Sequence, residues 1–206
     1  MPSETQARRL IPWAWSAAWL LAGLGFWISD LSSLPSRSPF AYIALNAAGW
    51  AIAGFVTASA AGDTPARTIR LAGWLVPGLA SIPFSMLWLR SWNVGFLGPI
   101  AALGLAGLFG GVAGSVRRHA WRLVSGALVG LAFLLFATVS FMASYFLMLV
   151  YTLIAQQGGS AGVLSVLDAL IWPLPGALFG LGAGFAARWL LGLRAAGPTG
   201  LMNLEK

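Results

Sequence analysis

The chain has 206 residues, of which 59% are hydrophobic and only 8% are charged. A soluble globular domain carries about 25% charged residues, so this composition excludes a water-soluble fold and predicts one integral membrane domain over residues 1–206. The absence of cysteine excludes disulfides, thiolate metal sites and cysteine nucleophiles.

Six apolar segments each approach or exceed the roughly 20 residues that a membrane-spanning helix needs. They predict an all-α, polytopic membrane helix bundle with spans at residues 11–29, 40–60, 70–89, 94–115, 121–155 and 173–192. The fifth segment reaches from Trp121 to Gln156, about 54 Å of helix against about 30 Å of hydrocarbon. It is therefore expected to tilt, bend or project. After it, SAGVLSVLDALIW predicts a short outer-face helix that stops at the prolines of WPLP.

The cations indicate the orientation of the bundle. Six spans place both termini on one side of the membrane, and ten of the twelve Lys and Arg residues fall on that side. Only Arg37 and Arg90 fall on the other side, together with Asp30 and Asp168. These two acids either pair with the two arginines or contact a polar ligand or an outer partner. The positive-inside rule then predicts cytoplasmic termini and a multi-pass protein of the cell's inner (cytoplasmic) membrane. The net charge of +7 is thus a topology signal and does not indicate nucleic-acid binding.

Tryptophans near the predicted helix ends, Trp74 and Trp172 among them, are expected at the headgroup level, where amphipathic rings are favoured. Trp50 lies inside the second span and is interpreted as a packing residue.

Self-comparison predicts three tandem helical hairpins, at approximately residues 9–60, 70–116 and 121–192. Each hairpin opens on an Arg-Leu pair and its second helix closes on an Ala-Gly pair. Hairpins of one orientation form a parallel repeat, which predicts a pseudo-threefold bundle around an axis along the membrane normal. The alternative is chance similarity within a small apolar alphabet.

Glycines in the three closing helices predict close helix packing. They recur at a spacing of four residues, which places them on one helix face and lets neighbouring backbones approach. A phosphate-binding loop would need a preceding strand, and no strand pattern precedes any of these runs. The predicted packing glycines are Gly54, Gly107, Gly110, Gly111, Gly114, Gly176, Gly180 and Gly184.

The ionisable residues do not suggest catalysis. The five acids lie at helix ends or in loops, and the single histidine, His119, lies in a predicted cytoplasmic turn. Proton relays, haem ligation and metal binding need such groups within the bilayer or in clusters. The sequence therefore predicts a protein that is not an enzyme, with no catalytic residue, no cofactor and no metal site.

Neutral polar residues remain as candidates for a site. On the fifth helix one stripe carries Thr138, Tyr145 and Thr152, and an adjoining stripe carries Ser140, Ser144 and Tyr151. These side chains either form interhelical hydrogen bonds or line a ligand cavity that opens to the outer face between helices three and five. For the second interpretation the cavity residues are Asn46, Ser81, Ser85, Thr138, Tyr145 and Thr152.

Two resemblances bear on this pattern. Residues 42–60, YIALNAAGWAIAGFVTASA, resemble a sequence segment that recurs in uncharacterised Gly/Trp-rich multi-pass bacterial membrane proteins. This resemblance implies no activity. The length, the six spans and the small-residue first helix are similar to the substrate-binding subunits of energy-coupling-factor vitamin transporters. That resemblance implies that Ala18 and Ala22 dock a partner subunit.

Two functions follow as hypotheses. The first is a non-catalytic, structural or accessory subunit of a larger membrane complex, with the lipid bilayer and other membrane protein subunits as partners and no nucleic acid. The second is a transport component that binds a small, largely neutral solute from outside.

Overall fold

The computed structural model describes residues 4–29, 39–60, 64–90, 97–114 and 119–192. Within these ranges all regular structure is helical and no strand occurs, which confirms the predicted all-α class. The helices are α1 (Glu4–Ser29), α2 (Phe40–Ser59), α3 (Thr64–Arg90), α4 (Leu97–Gly114), α5 (His119–Gln156), α6 (Ala161–Leu170) and α7 (Pro173–Gly192).

Four described stretches are long and apolar enough to cross a membrane: Arg8–Ser29, Phe40–Ser59, Arg122–Gln156 and Ala161–Leu191. The last of these combines α6 and α7, and Leu97–Ala113 of α4 is a shorter apolar helix. Large hydrophobic side chains are exposed on the outer faces of the long helices. Apolar surface of this extent suits contact with lipid better than contact with water.

The segment after α5 forms the short helix that the sequence predicts. α5 is one helix of 38 residues, or about 57 Å. Gly158 then adopts a left-handed conformation, with φ of 76°, which glycine enters without steric cost. Ser160 caps α6 by accepting a hydrogen bond from the backbone N–H of Val163, and α7 begins at Pro173 of the WPLP sequence.

The six longer helices form a closed ring. α1 contacts α2 and α7, and the contacts continue from α2 to α3, α4, α5 and back to α7. Neighbours are antiparallel: Ser29 near the end of α1 accepts a hydrogen bond from the N–H of Tyr42 at the start of α2 (2.9 Å). Trp15 Nε1, earlier in α1, donates to Thr57 Oγ1 near the end of α2 (2.8 Å).

Six aromatic side chains fill the centre of this ring, and together they form the aromatic core cluster. Their neighbouring ring centroids are 4.6–5.9 Å apart, mostly in edge-to-face geometry, the arrangement that aromatic quadrupoles favour. The members are Trp15, Trp19, Trp50, Trp74, Phe133 and Phe179.

Trp74 corrects one prediction, and Trp50 agrees with another. Trp74 was expected at the headgroup level but is only 1% exposed and belongs to the aromatic core cluster. It fits there because Gly110 of α4 leaves room beside its ring and Gly54 of α2 leaves room beside its Cβ. Trp50 is equally buried, as expected of a packing residue.

The predicted glycines of α7 lie against the backbone of α1. A Cβ added at Gly176 would lie 2.6 Å from the carbonyl oxygen of Trp19. At Gly184 it would lie 2.5 Å from Pro12 Cα, and at Gly180 it would collide with the carbonyl oxygen of Trp15. Antiparallel α1 and α7 therefore approach at a distance that only glycine permits.

The glycines of α4 accommodate rings and a neighbouring helix. Gly107 lies against the ring of Phe133, and Gly111 lies against the backbone of Gly126 in α5. Gly114 is the last residue of α4, and its side-chain environment lies outside the described residues.

Gly180→Ala tests the α1–α7 contact. The added methyl group meets a backbone carbonyl that cannot move aside, so we expect the free energy of unfolding to fall by about 1–3 kcal/mol. The measurement is thermal unfolding in mild detergent. Gly162→Ala in α6 is the control, because a Cβ there meets nothing within 4 Å; equal destabilisation by both variants would contradict the contact.

Candidate functional site

A cavity of about 100 Å³ lies inside the ring, toward the end where α1 finishes and α2, α4 and α7 begin. Its walls carry polar groups among apolar and aromatic side chains, and none of the described residues that line it is charged. The polar side chains in the lining are Tyr42, Asn46, Ser81, Ser140 and Ser144.

Asn46 has a buried polar atom without a hydrogen-bond partner among the described residues, as does Trp50 at its Nε1. The side chain of Asn46 is 5% exposed and lines the cavity. Its Oδ1 atom is buried with no hydrogen-bond partner among the described residues. Leaving a buried acceptor unpaired costs about 1–3 kcal/mol. This carbonyl oxygen therefore lowers the stability of the folded protein unless a donor reaches it.

Two of the serines use their protons on the protein itself. Ser81 Oγ donates to the carbonyl oxygen of Gly78 (2.6 Å), and Ser140 Oγ donates to the carbonyl oxygen of Pro175. A hydroxyl that donates its proton retains acceptor lone pairs. The lining therefore combines acceptor capacity at Asn46, Ser81 and Ser140 with the hydroxyl groups of Tyr42 and Ser144, which suits a neutral ligand that forms hydrogen bonds.

Aromatic rings bound the cavity along the bundle axis. Trp19 contacts Phe179 at 4.6 Å on the side of the aromatic core cluster. At the other end, Phe26 contacts Trp172 at 4.2 Å and Tyr42 at 5.7 Å; these three residues form the aromatic cap. Trp19 and Phe26 are seven residues apart on α1, so the two layers are separated by about 10 Å.

The structure brings only some of the predicted cavity residues together. Asn46 and Ser81 line the cavity, whereas the side chain of Ser85 lies outside the described residues. Thr138 and Thr152 donate to carbonyl oxygens of their own helix (2.8 Å each), and Tyr145 is 48% exposed. The stripe of Thr138, Tyr145 and Thr152 therefore does not line this cavity.

The adjoining stripe supplies Ser140 and Ser144 instead, which the predicted cavity set omitted. A signal for this choice exists in the sequence. Ser140 and Ser144 extend a row in α5 whose spacing alternates between three and four residues, the pattern of a buried helix face. The earlier members of that row are Gly126, Gly130, Phe133 and Ala137, all of them buried.

The residues predicted to dock a partner and to form ion pairs at the outer face can also be located in part. Ala18 and Ala22 are 1% and 5% exposed inside the bundle, so they are not available to dock a partner. Asp168 Oδ2 accepts a hydrogen bond from Trp27 Nε1 (2.9 Å). Asp30 and Arg37, as well as the side chain of Arg90, lie outside the described residues.

The described lining of the cavity carries no His, Cys, Asp or Glu side chain. Where the structure describes the chain, no three His, Cys, Asp or Glu side chains are grouped so as to hold a metal ion. The side chain of His119 lies outside that part of the chain. The chemistry available at the cavity is hydrogen bonding and apolar contact.

Comparison with known proteins adds no relative: no protein-family model, no curated protein and no solved structure matches the chain.

Substitution of Asn46 tests whether the cavity is built for a ligand. Asn46→Leu removes the buried acceptor at similar volume, so we expect the free energy of unfolding of the ligand-free protein to rise by about 1–3 kcal/mol. Ser140→Ala removes the hydrogen bond to Pro175 and should lower it by about 1 kcal/mol. Thermal unfolding in mild detergent measures both variants, and a loss of stability in Asn46→Leu would show that the carboxamide is structural.

Proposed function

We propose that this chain is a non-catalytic membrane transport component that binds a small neutral molecule in the cavity. The observation that carries the proposal is Asn46, a residue of the cavity lining whose buried Oδ1 has no partner among the described residues. Stability alone would favour an apolar residue at this position, because an unpaired buried carbonyl lowers stability. A ligand donor supplies the missing hydrogen bond.

The proposed setting is the cytoplasmic membrane, crossed six times by α1 to α5 and α7. The three tandem hairpins are α1 with α2, α3 with α4, and α5 with α7, and the antiparallel contacts between ring neighbours support this arrangement. Arginines cluster at the end where α1 begins and α7 finishes, which supports cytoplasmic termini. Those described are Arg8, Arg9, Arg67, Arg70, Arg122 and Arg188.

The aromatic core cluster favours a binding component over an open pore. Its rings occupy the bundle axis between the cavity and the arginine-rich end. In this orientation the cavity lies in the outer half of the membrane, and a bound molecule cannot pass the buried rings of Trp15 and Trp74 without rearrangement. A coupled partner or a conformational change would complete transport.

A second candidate function, an accessory subunit, has support from α5. Even at a tilt of about 40°, a hydrocarbon layer of about 30 Å covers only about 26 residues of helix, and α5 has 38. The exposed side chains of its last third include Phe146, Leu149 and Leu153, and α6 beside it has no buried residue. Another membrane subunit is the partner proposed for this surface.

The proposed topology can be tested with single cysteines, because the chain contains none. Thr68→Cys and Ser165→Cys place thiols at exposed, uncharged positions in α3 and α6. A membrane-impermeant maleimide should label residue 165 in right-side-out vesicles and residue 68 only in inside-out vesicles. Labelling of both from the same side would contradict the topology.

Thermal unfolding across a ligand panel tests binding. Neutral hydrogen-bond donors, such as alcohols, polyols and amides, should raise the melting temperature, whereas anions and cations should not. At a hundredfold excess over Kd the stabilisation is about 2.7 kcal/mol, or on the order of 5 °C for a chain of this length.

Two variants make this test specific. Asn46→Leu should abolish the shift, while Thr138→Val should keep it, because Thr138 bonds within its own helix. A panel without any Asn46-dependent shift would refute the binding function. Mass spectrometry of the same preparation would reveal a stoichiometric second chain if the accessory function holds.

A further inference from the structure

A groove on the surface between α3 and α4 lies next to the cavity. Its volume is about 360 Å³, within the range of about 300–1,000 Å³ that is typical of small-molecule sites. Its lining is apolar except for one serine, and Val76, Leu105 and Phe109 are each more than half exposed at its edges. The lining residues used below are Val76, Pro77, Ala80, Ser81, Leu105 and Phe109.

Ser81 belongs to the walls of both the groove and the cavity. The apolar groove is therefore adjacent to the polar interior through a side chain of only two heavy atoms. Ser81 is 6% exposed and lies between Pro77 and Pro83 of α3. Each proline removes a backbone N–H from the helix ladder and favours bending, so α3 is easiest to displace at this wall.

Along the bundle axis, aromatic rings lie on both sides of the cavity. The aromatic core cluster lies on one side along the bundle axis, and the aromatic cap of Phe26, Tyr42 and Trp172 lies on the other. Both consist of large rings in mutual contact. At the α3–α4 wall, by contrast, the residue shared by the cavity and the groove is Ser81, whose side chain is much smaller than these rings.

The cavity and the α3–α4 groove differ in polarity, as do the polar head and the apolar tail of an amphiphile. The cavity holds only a few water-sized groups, and its lining includes Asn46, whose buried Oδ1 has no partner in the described residues. The groove is larger and apolar, and it faces outward. We infer that the ligand is a neutral, single-chain amphiphile from the bilayer, with a hydroxyl or amide head at Asn46 and its tail in the α3–α4 groove.

This inference rests on the proposed binding function and narrows its ligand class. A phospholipid is disfavoured, because its phosphate would enter a cavity whose described lining holds no cation, and burying an unpaired charge is costly. A vitamin-sized polar solute is disfavoured because the polar cavity of about 100 Å³ is smaller than typical small-molecule sites. The amphiphile places its bulk in the groove.

Photo-crosslinking tests the inference with a long-chain primary alcohol that carries a diazirine in its chain. The full-length protein is reconstituted in phosphatidylcholine nanodiscs, and peptide mass spectrometry locates the labelled residues. We expect labelling at Val76, Leu105 or Phe109. The methyl ether of the same alcohol cannot donate a hydrogen bond to Asn46 Oδ1 and should label about tenfold less.

Three variants locate the two ends of the ligand. Asn46→Leu should reduce labelling about tenfold by removing the acceptor, and Ala80→Trp should do so by filling the groove. Ala127→Trp is the matched control, since Ala127 is an exposed alanine on α5 outside the groove, and it should label like the unmodified protein. Melting temperatures of all variants in the same detergent establish that each one is folded.

The outcomes separate the inference from the proposed function. Equal labelling by the alcohol and its ether, or no effect of Ala80→Trp, overturns the amphiphile. If water-soluble donors stabilise the protein through Asn46 and Ala80→Trp leaves that stabilisation unchanged, the binding function stands and the ligand comes from water. If neither class binds in an Asn46-dependent manner, both proposals fail.

Discussion

The packing of aromatic side chains against glycines at the centre of the helix bundle is the interaction on which the rest of the structure depends. In a bilayer, helices gain little from burying apolar side chains, since lipid tails are equally apolar, and close van der Waals contact takes over. Trp15 is in contact with Trp50, Trp74 and Phe133, so one side chain of α1 connects three other helices. Each aromatic pair adds about 0.5–1.5 kcal/mol beyond the area it buries.

The same packing creates the cavity. Aromatic side chains concentrate at the level of Trp15 and again at the aromatic cap. Between these two levels the helices contribute smaller side chains to the interior, such as Ala22, Ala137 and Ser144. Rigid walls keep this space open without a ligand, because rings locked by neighbours cannot collapse into it. Asn46, whose buried carbonyl oxygen has no partner among the described residues, belongs to the lining of this space.

The local sequence pattern predicted which segments are helical. It predicted only in part which side chains of each helix face the interior of the bundle. Helix starts and ends follow from Pro173, from the cap at Ser160 and from apolar length, which are local properties. Trp74 was misplaced because a tryptophan near a helix end looks the same whether glycines of other helices make room for it or lipid surrounds it. Likewise both polar stripes of α5 are periodic, and only the position of α4 and α7 decides that Ser140 faces inward while Thr138 does not.

The mutual contact of Trp15, Trp19, Trp50 and Trp74 also gives the molecule an optical property. Indoles with centroids 5.2–5.6 Å apart are close enough to share electronic excitation, and all of them except the partly buried Trp19 are fully buried. Because Trp19 belongs both to this group and to the cavity wall, the shared excitation extends to one side of the cavity. The protein thus carries an intrinsic chromophore at the boundary between the aromatic core cluster and the cavity.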